Sequence, residues 1–203
     1  MRRSIFLLIL TLAGCAVIPP VQTACFNDNR QCMLLRDLRY EIGGSQLYIT
    51  VPAGFVTDFA SVPQEFWSVL APNDRYSRAS VIHDYLYWTQ GCTREQADNL
   101  LLIAMKESSV SWWKRSAIYE GVRKGGENAW KSNEADRLDR LPRIIPAGYR
   151  DFAGDVSWDQ YRLTLRDHSV GMDVPPGKAS YCAAGDSTSV PNGLSAAAVV
   201  PGK

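Results

Sequence analysis

The chain has 203 residues, and its 22 Lys and Arg against 21 Asp and Glu leave a formal net charge of +1. That balance excludes the basic footprint of a nucleic-acid groove, and no stripe of cations interleaved with aromatics stands out. With 46% of its residues hydrophobic, the chain is also not disordered throughout.

Arg2 and Arg3 precede a short uncharged apolar run, Ser4 to Leu12. A bilayer core needs roughly 20 apolar residues, so this run does not span one. A charged start, a short apolar stretch and small residues at its end describe a signal peptide, residues 1–14. Leu12-Ala13-Gly14-Cys15 resembles the lipobox of bacterial lipoproteins. The resemblance implies cleavage before Cys15, a diacylglyceryl group on its sulfur and an acylated amino group. Two or more acyl chains give stable attachment, each buried CH₂ adding roughly 0.8 kcal/mol. Ala16 stands where an aspartate would resemble an inner-membrane retention signal. The expected address is therefore the cell envelope, the outer membrane if the source is Gram-negative.

Residues 15–35 read as a lipidated tether followed by a small loop. Apart from Cys15 there are four cysteines, Cys25, Cys32, Cys92 and Cys182. An even number in an exported chain implies disulfides, in one of three connectivities. Pairing Cys25 with Cys32 would close a small loop, and Cys92 with Cys182 would tie the carboxyl-terminal part to the core. The spacings lack the C-x-x-C pairs of zinc sites.

Residues 36–141 read as the main domain. Arg36 to Val51 alternates as a hairpin, Leu38, Tyr40 and Ile42 against Leu47, Ile49 and Val51, with Gly43-Gly44 as a two-residue turn. Phe55 to Thr57 is a third short strand. Ser77 is placed to cap a helix running to Thr89. Gln90-Gly91-Cys92 breaks it. Thr93-Arg94-Glu95-Gln96 has the capping-box form and starts a second helix to about Glu107. Ser111 opens a third helix ending near Gly125-Gly126, and Asn128 to Leu141 forms a fourth. The expected fold is α+β: a small antiparallel amino-terminal hairpin or three-stranded sheet packed on three to four helices. Residues 142–185 form a carboxyl-terminal extension in which Trp158 to Leu165 alternates as a strand. Residues 186–203 read as a disordered tail.

Chemistry concentrates in Val51 to Pro63, with Asp58 and Ser61, and in Val81 to Tyr87. On a helix His83 and Tyr87 share a face, with Asp84 beside them. The short break folds the next helix back, so that Asp98 approaches His83, with Arg94 one turn before it.

The runs VPAGFVTDFASVP, HDYLY and YEGVRKGGENAW, with Arg94 and Asp98 between the last two, resemble domain-of-unknown-function family 1353, found in phages, prophages and bacteria. The resemblance covers roughly Leu38 to Trp130 and implies a shared fold without an activity. More locally, His83-Asp84-x-x-Tyr87 is similar to the active-site helix of secreted calcium-dependent phospholipases. That similarity implies His83 as general base, Asp84 as a Ca²⁺ ligand, and Tyr87 and Asp98 as the groups that orient the histidine. It departs at Leu86, where those enzymes carry a cysteine, and around Gly54 to Asp58, where they carry a glycine-rich calcium loop.

Each site has a plainer reading. His83, Asp84, Asp98, Arg94 and Asp58 would form a buried polar network that only fixes the helix pair. Asp58 would cap a turn or be a metal ligand beside Asp84. Ser61 as a nucleophile lacks the G-x-S-x-G elbow, and a zinc site would join His83 to the distant His168. Glu120 and Arg123 form helix pairs or join the network. Trp112-Trp113, next to Lys114-Arg115, pack in the core or touch a lipid interface. Two functions follow. One is an envelope lipoprotein with a hydrolase site that acts on phospholipid esters, with calcium. The other is a phage-related binding or superinfection-exclusion lipoprotein that meets an envelope or phage protein and has no turnover.

Overall fold

In a computed structural model the protein is described over residues 20–59, 76–152, 154–170 and 177–192. The expected signal peptide, Cys15, Ser61 and the end of the expected tail lie outside these residues. Five short strands and four α-helices follow one another: β1 (Thr23–Cys25), β2 (Cys32–Leu34), β3 (Leu38–Glu41), β4 (Tyr48–Val51), β5 (Val56–Thr57), α1 (Ser77–Thr89), α2 (Arg94–Glu107), α3 (Trp112–Leu138) and α4 (Trp158–Asp167). The class is α+β, with an antiparallel three-stranded sheet ordered β1-β2-β5 and a separate hairpin β3-β4.

The β1-β2 pair, too short to read from periodicity, is set by its cysteines. Cys25 faces Cys32 across the ladder and the two form a disulfide. Asp28 Oδ1 accepts from the N–H groups of Arg30 and Gln31 at 2.9 and 3.2 Å. Such Asx turns reverse a chain locally. In the hairpin, Leu38 faces Val51 and Tyr40 faces Ile49, which puts Leu38, Ile49 and Val51 into the core. Gly43 and Gly44 take positive φ, as a tight turn requires. The connection is longer than two residues, however. Ile42 N–H donates to Leu47 O, and Gln46 supplies a third left-handed residue.

Helix α1 is the centre of the molecule. All of its 13 residues except Arg78 and Tyr85 are buried. It packs against α2 and α3 and against β4 and β5. Tyr76, not Ser77, holds the N-cap position, without a side-chain capping hydrogen bond, and Ser77 is the first residue of the helix. The left-handed Gln90 ends it, and the Thr93–Gln96 capping box starts α2 as expected.

Two expectations are corrected. Gly125-Gly126 does not end a helix, because α3 runs unbroken through 27 residues. A Cβ on Gly126 would lie 2.3 Å from Tyr87 Oη. The residue is small so that α3 can approach α1 closely, not because the chain turns there. Trp158 to Leu165 is helical rather than extended. Ser157 and Gln160 form a second capping box, and only Trp158 and Leu165, two turns apart, are buried in α4.

The main core joins the hairpin to α1, α2 and α3. A second core under α4 contains Phe26, Met33, Val56, Ile145, Trp158 and Leu165, with Phe26 stacked on Phe152 at 4.2 Å. The Cys92–Cys182 disulfide holds the chain after residue 177 along α2. Gly185 O accepts from Asn99 Nδ2 at 2.8 Å, Asp186 Oδ1 from Gln96 Nε2 at 2.7 Å, and Thr188 O from the Lys106 ammonium. Residues 186–192, the start of the expected disordered tail, therefore lie against the domain. No described helix is long and apolar enough to cross a membrane.

Candidate functional site

Helix α1 carries one polar stripe on an otherwise apolar surface. Ser80, His83, Asp84 and Tyr87 recur at i, i+3, i+4 and i+7, which is one helical face. All four are buried. The capped link after Gln90 brings α2 back along α1 and sets Asp98 opposite this stripe.

Asp98 is fully buried. Its Oδ1 lies 3.0 Å from His83 Nε2 and accepts from the Tyr87 hydroxyl at 2.6 Å. Its Oδ2 accepts from Arg94 Nη1 at 3.2 Å, and Arg123 Nη1 from α3 stands 3.6 Å away. Arg123 also reaches Glu95 at 3.4 Å, whereas Glu120 pairs with Lys124 on the outer face. A carboxylate held against Nε2 keeps the proton on that nitrogen and leaves the Nδ1 lone pair available. Nδ1 makes no hydrogen bond to a described residue.

Tyr87 is fixed from three sides. Its ring stacks obliquely on His83 at 4.1 Å and meets Trp130 edge-on at 5.1 Å, with Gly126 against its hydroxyl. Burial, and then the hydrogen bond to Asp98, raises its pKa well above the usual range. Tyr87 is therefore a proton-bearing donor, not a base.

Asp84, on the same face, makes a contact of its own. Its Oδ2 accepts from the Thr57 hydroxyl of β5, and Thr57 Oγ1 in turn accepts from Phe59 N–H at 3.0 Å. Asp58 follows directly in the chain. Among the described residues no three His, Cys, Asp or Glu side chains group to hold a metal ion. His168 lies at the exposed end of α4, with Nδ1 on Thr164 O at 2.7 Å.

The structure therefore brings His83, Tyr87, Arg94 and Asp98 together as expected, and of the two residues offered from α3 it joins Arg123 to the network and leaves Glu120 on Lys124. Asp84 meets Thr57 of β5, and Ser61 lies outside the described residues. Thr57 and Ser80 were missed. Counting back one turn from His83 finds Ser80, whose hydroxyl is buried without a partner. No local pattern points to Thr57.

Residues 32–122 match the family model described as "Protein of unknown function (DUF1353)". The DUF1353 match takes in β2 to β5, all of α1 and α2, and the first part of α3. It includes His83, Asp84, Tyr87, Arg94 and Asp98, and stops one residue before Arg123. A curated relative, "Uncharacterized protein y4jT" of Sinorhizobium fredii, is 38% identical over 74 residues, which is 36% of this chain and 22% of that protein. The chain thus aligns with only about a fifth of that relative's length. No solved structure matches.

Proposed function

We propose that this chain is an exported lipoprotein, anchored to the cell envelope through Cys15, whose His83–Asp98 pair activates water to hydrolyse an ester, with phospholipids as the substrate class. The single observation that carries the chemistry is the arrangement of the His83 ring: Nε2 held by Asp98, Nδ1 without a described partner. In the proposed step Nδ1 takes a proton from water as the water oxygen attacks the ester carbonyl carbon. The tetrahedral adduct then collapses, the ester C–O bond breaks, and the imidazolium returns the proton to the leaving alkoxide. Asp98 and Tyr87 orient the ring throughout. Lipid anchoring would place such a site beside its substrate, and the address rests on the Leu12-Ala13-Gly14-Cys15 motif.

The test is hydrolysis of a fluorescent phospholipid in vesicles by the full chain, with and without Ca²⁺ or a chelator. His83→Ala should lower the rate roughly 10²-fold or more while keeping the fold. Equal turnover by both proteins ends the reading. A rate that a chelator removes would call for ligands beyond the described carboxylates.

A second reading is favoured by the saturation of Asp98. All four donors around it are engaged and it has no exposure, as in a network that only fixes helices. The protein would then be a binding or exclusion lipoprotein, related to phage domains, that meets an envelope or phage protein. In that case His83→Ala leaves its function intact and changes at Trp112 and Trp113 remove it.

A further inference from the structure

The first turn of α3 carries two indoles that the fold leaves outside. Trp112 is 69% exposed and Trp113 47%. Cations gather beside them. The Lys114 ammonium lies 5.7 Å from the Trp113 ring centroid. Arg115 shares a helix face with Trp112 at i+3, and its Nη1 donates to Val110 O at 3.0 Å. Lys106, at the end of α2, donates to Thr188 O. Burial and then the nearby Arg115 charge push the Lys106 pKa down. Among the described residues neither Lys106 nor Arg115 pairs with a carboxylate, and both donate to backbone carbonyls.

Two costs are thus kept at one place: large aromatic surface in water, and the like charges of Lys114 and Arg115 on consecutive residues of one helical turn. A single kind of surface relieves both. Indoles are favoured where an apolar layer meets a hydrated one, and cations gain roughly 1 kcal/mol each near an anionic leaflet. We propose that Trp112, Trp113, Lys114 and Arg115, with Lys106 beside them, seat the domain on a bilayer surface bearing anionic headgroups. This contact is separate from the His83 chemistry and requires neither turnover nor the acyl anchor.

The experiment uses the full chain carrying Cys15→Ser, so that no acyl chain contributes. Its partition is measured into vesicles of phosphatidylcholine alone and of phosphatidylcholine with phosphatidylglycerol. The apolar run before residue 15 is common to all variants, so differences between them report the patch. The parent should prefer the anionic vesicles, and less so as salt rises. W112A/W113A should weaken partition into both, about tenfold or more, with an unchanged melting temperature. K106Q/R115Q should keep binding to phosphatidylcholine and lose roughly fivefold per cation on the anionic vesicles. Equal partition by the parent and W112A/W113A overturns the proposal, as does a parent indifferent to phosphatidylglycerol. So does a parent that ignores vesicles and self-associates through these tryptophans, which would assign the patch to a second copy of the chain.

Discussion

Asp98 draws donors from three helices onto one carboxylate with no solvent to share the load. His83 and Tyr87 hold one oxygen, and Arg94 and Arg123 face the other. Replacing it by an amide keeps the size and removes half of the accepting capacity, so one side of the cluster would set N–H against N–H. Asp98→Asn should therefore cost about 3 kcal/mol of stability, seen as a lower urea midpoint with an unchanged slope. A loss below about 1 kcal/mol would mean that the shape of the group matters and its charge does not. Much of this cluster could be read from the sequence. Arg94 and Asp98 are four apart on one helix, His83 and Tyr87 four apart on the other, and a capping signal at Thr93 fixes how the second helix starts. The partner of Asp84 could not be read. Thr57 comes from a strand of two residues, and nothing in local spacing ties it to α1.

The helices show the same division. Gly125 and Gly126 look alike in sequence and differ in space: a Cβ at Gly125 or Gly121 meets nothing within 4 Å, while one at Gly126 meets the Tyr87 hydroxyl. Gly121→Ala and Gly125→Ala should thus stabilise α3 by about 0.5–1 kcal/mol each. Gly126→Ala should destabilise the protein despite the same gain in helix propensity, by pushing Tyr87 off Asp98. Thermal melts of the three variants check this, and equal shifts would refute the close-approach role. Reading the glycine pair as a break failed because propensity carries no information about a neighbour. At α4 the error was different. The alternation of Tyr161, Leu163 and Leu165 outweighed a cap of the same form as the one that correctly placed α2. At the far end of α2, Glu107 meets the hairpin loop. It accepts from the Tyr40 hydroxyl and from Gly43 N–H. Burial raises its pKa, those two hydrogen bonds pull it back, and Glu41 adds to the rise. A carboxyl raised on folding keeps its proton in the native state after the unfolded chain has lost it. Its contribution is therefore complete below the ordinary carboxylate range and declines as pH climbs through the folded value. Urea midpoints followed from acid to neutral pH should fall less steeply for Glu107→Gln than for the parent.

At the scale of the molecule, strand alternation, helical spacing and cysteine parity anticipated an α+β domain held by disulfides, and of the three connectivities the one that forms is Cys25–Cys32 with Cys92–Cys182. They differ in reach, with sequence separations of 7 and 90. On chain entropy alone the longer loop restricts the unfolded state by about 2 kcal/mol more. Removing Cys92 and Cys182 together should cost more stability than removing Cys25 and Cys32 together. It should also release residues 177–192 from α2, which amide hydrogen exchange would detect as lost protection there. A larger loss from the short loop would point to strain or local structure as the dominant effect. The strapped segment itself could not be read from the sequence, because its Gly, Ser and Ala content resembles a linker while its order comes from what it touches.

The unbroken course of α3 bears on how this chain can be divided. The stretch that matches the family model ends at Val122, in the middle of that helix. Arg123, Gly126 and Trp130, which balance the charge of Asp98 and wall in Tyr87, come later on the same rod. The matched stretch is therefore not a unit of assembly in this chain. A fragment cut at residue 122 would leave Asp98 without the Arg123 guanidinium and Tyr87 without the Trp130 ring beside it.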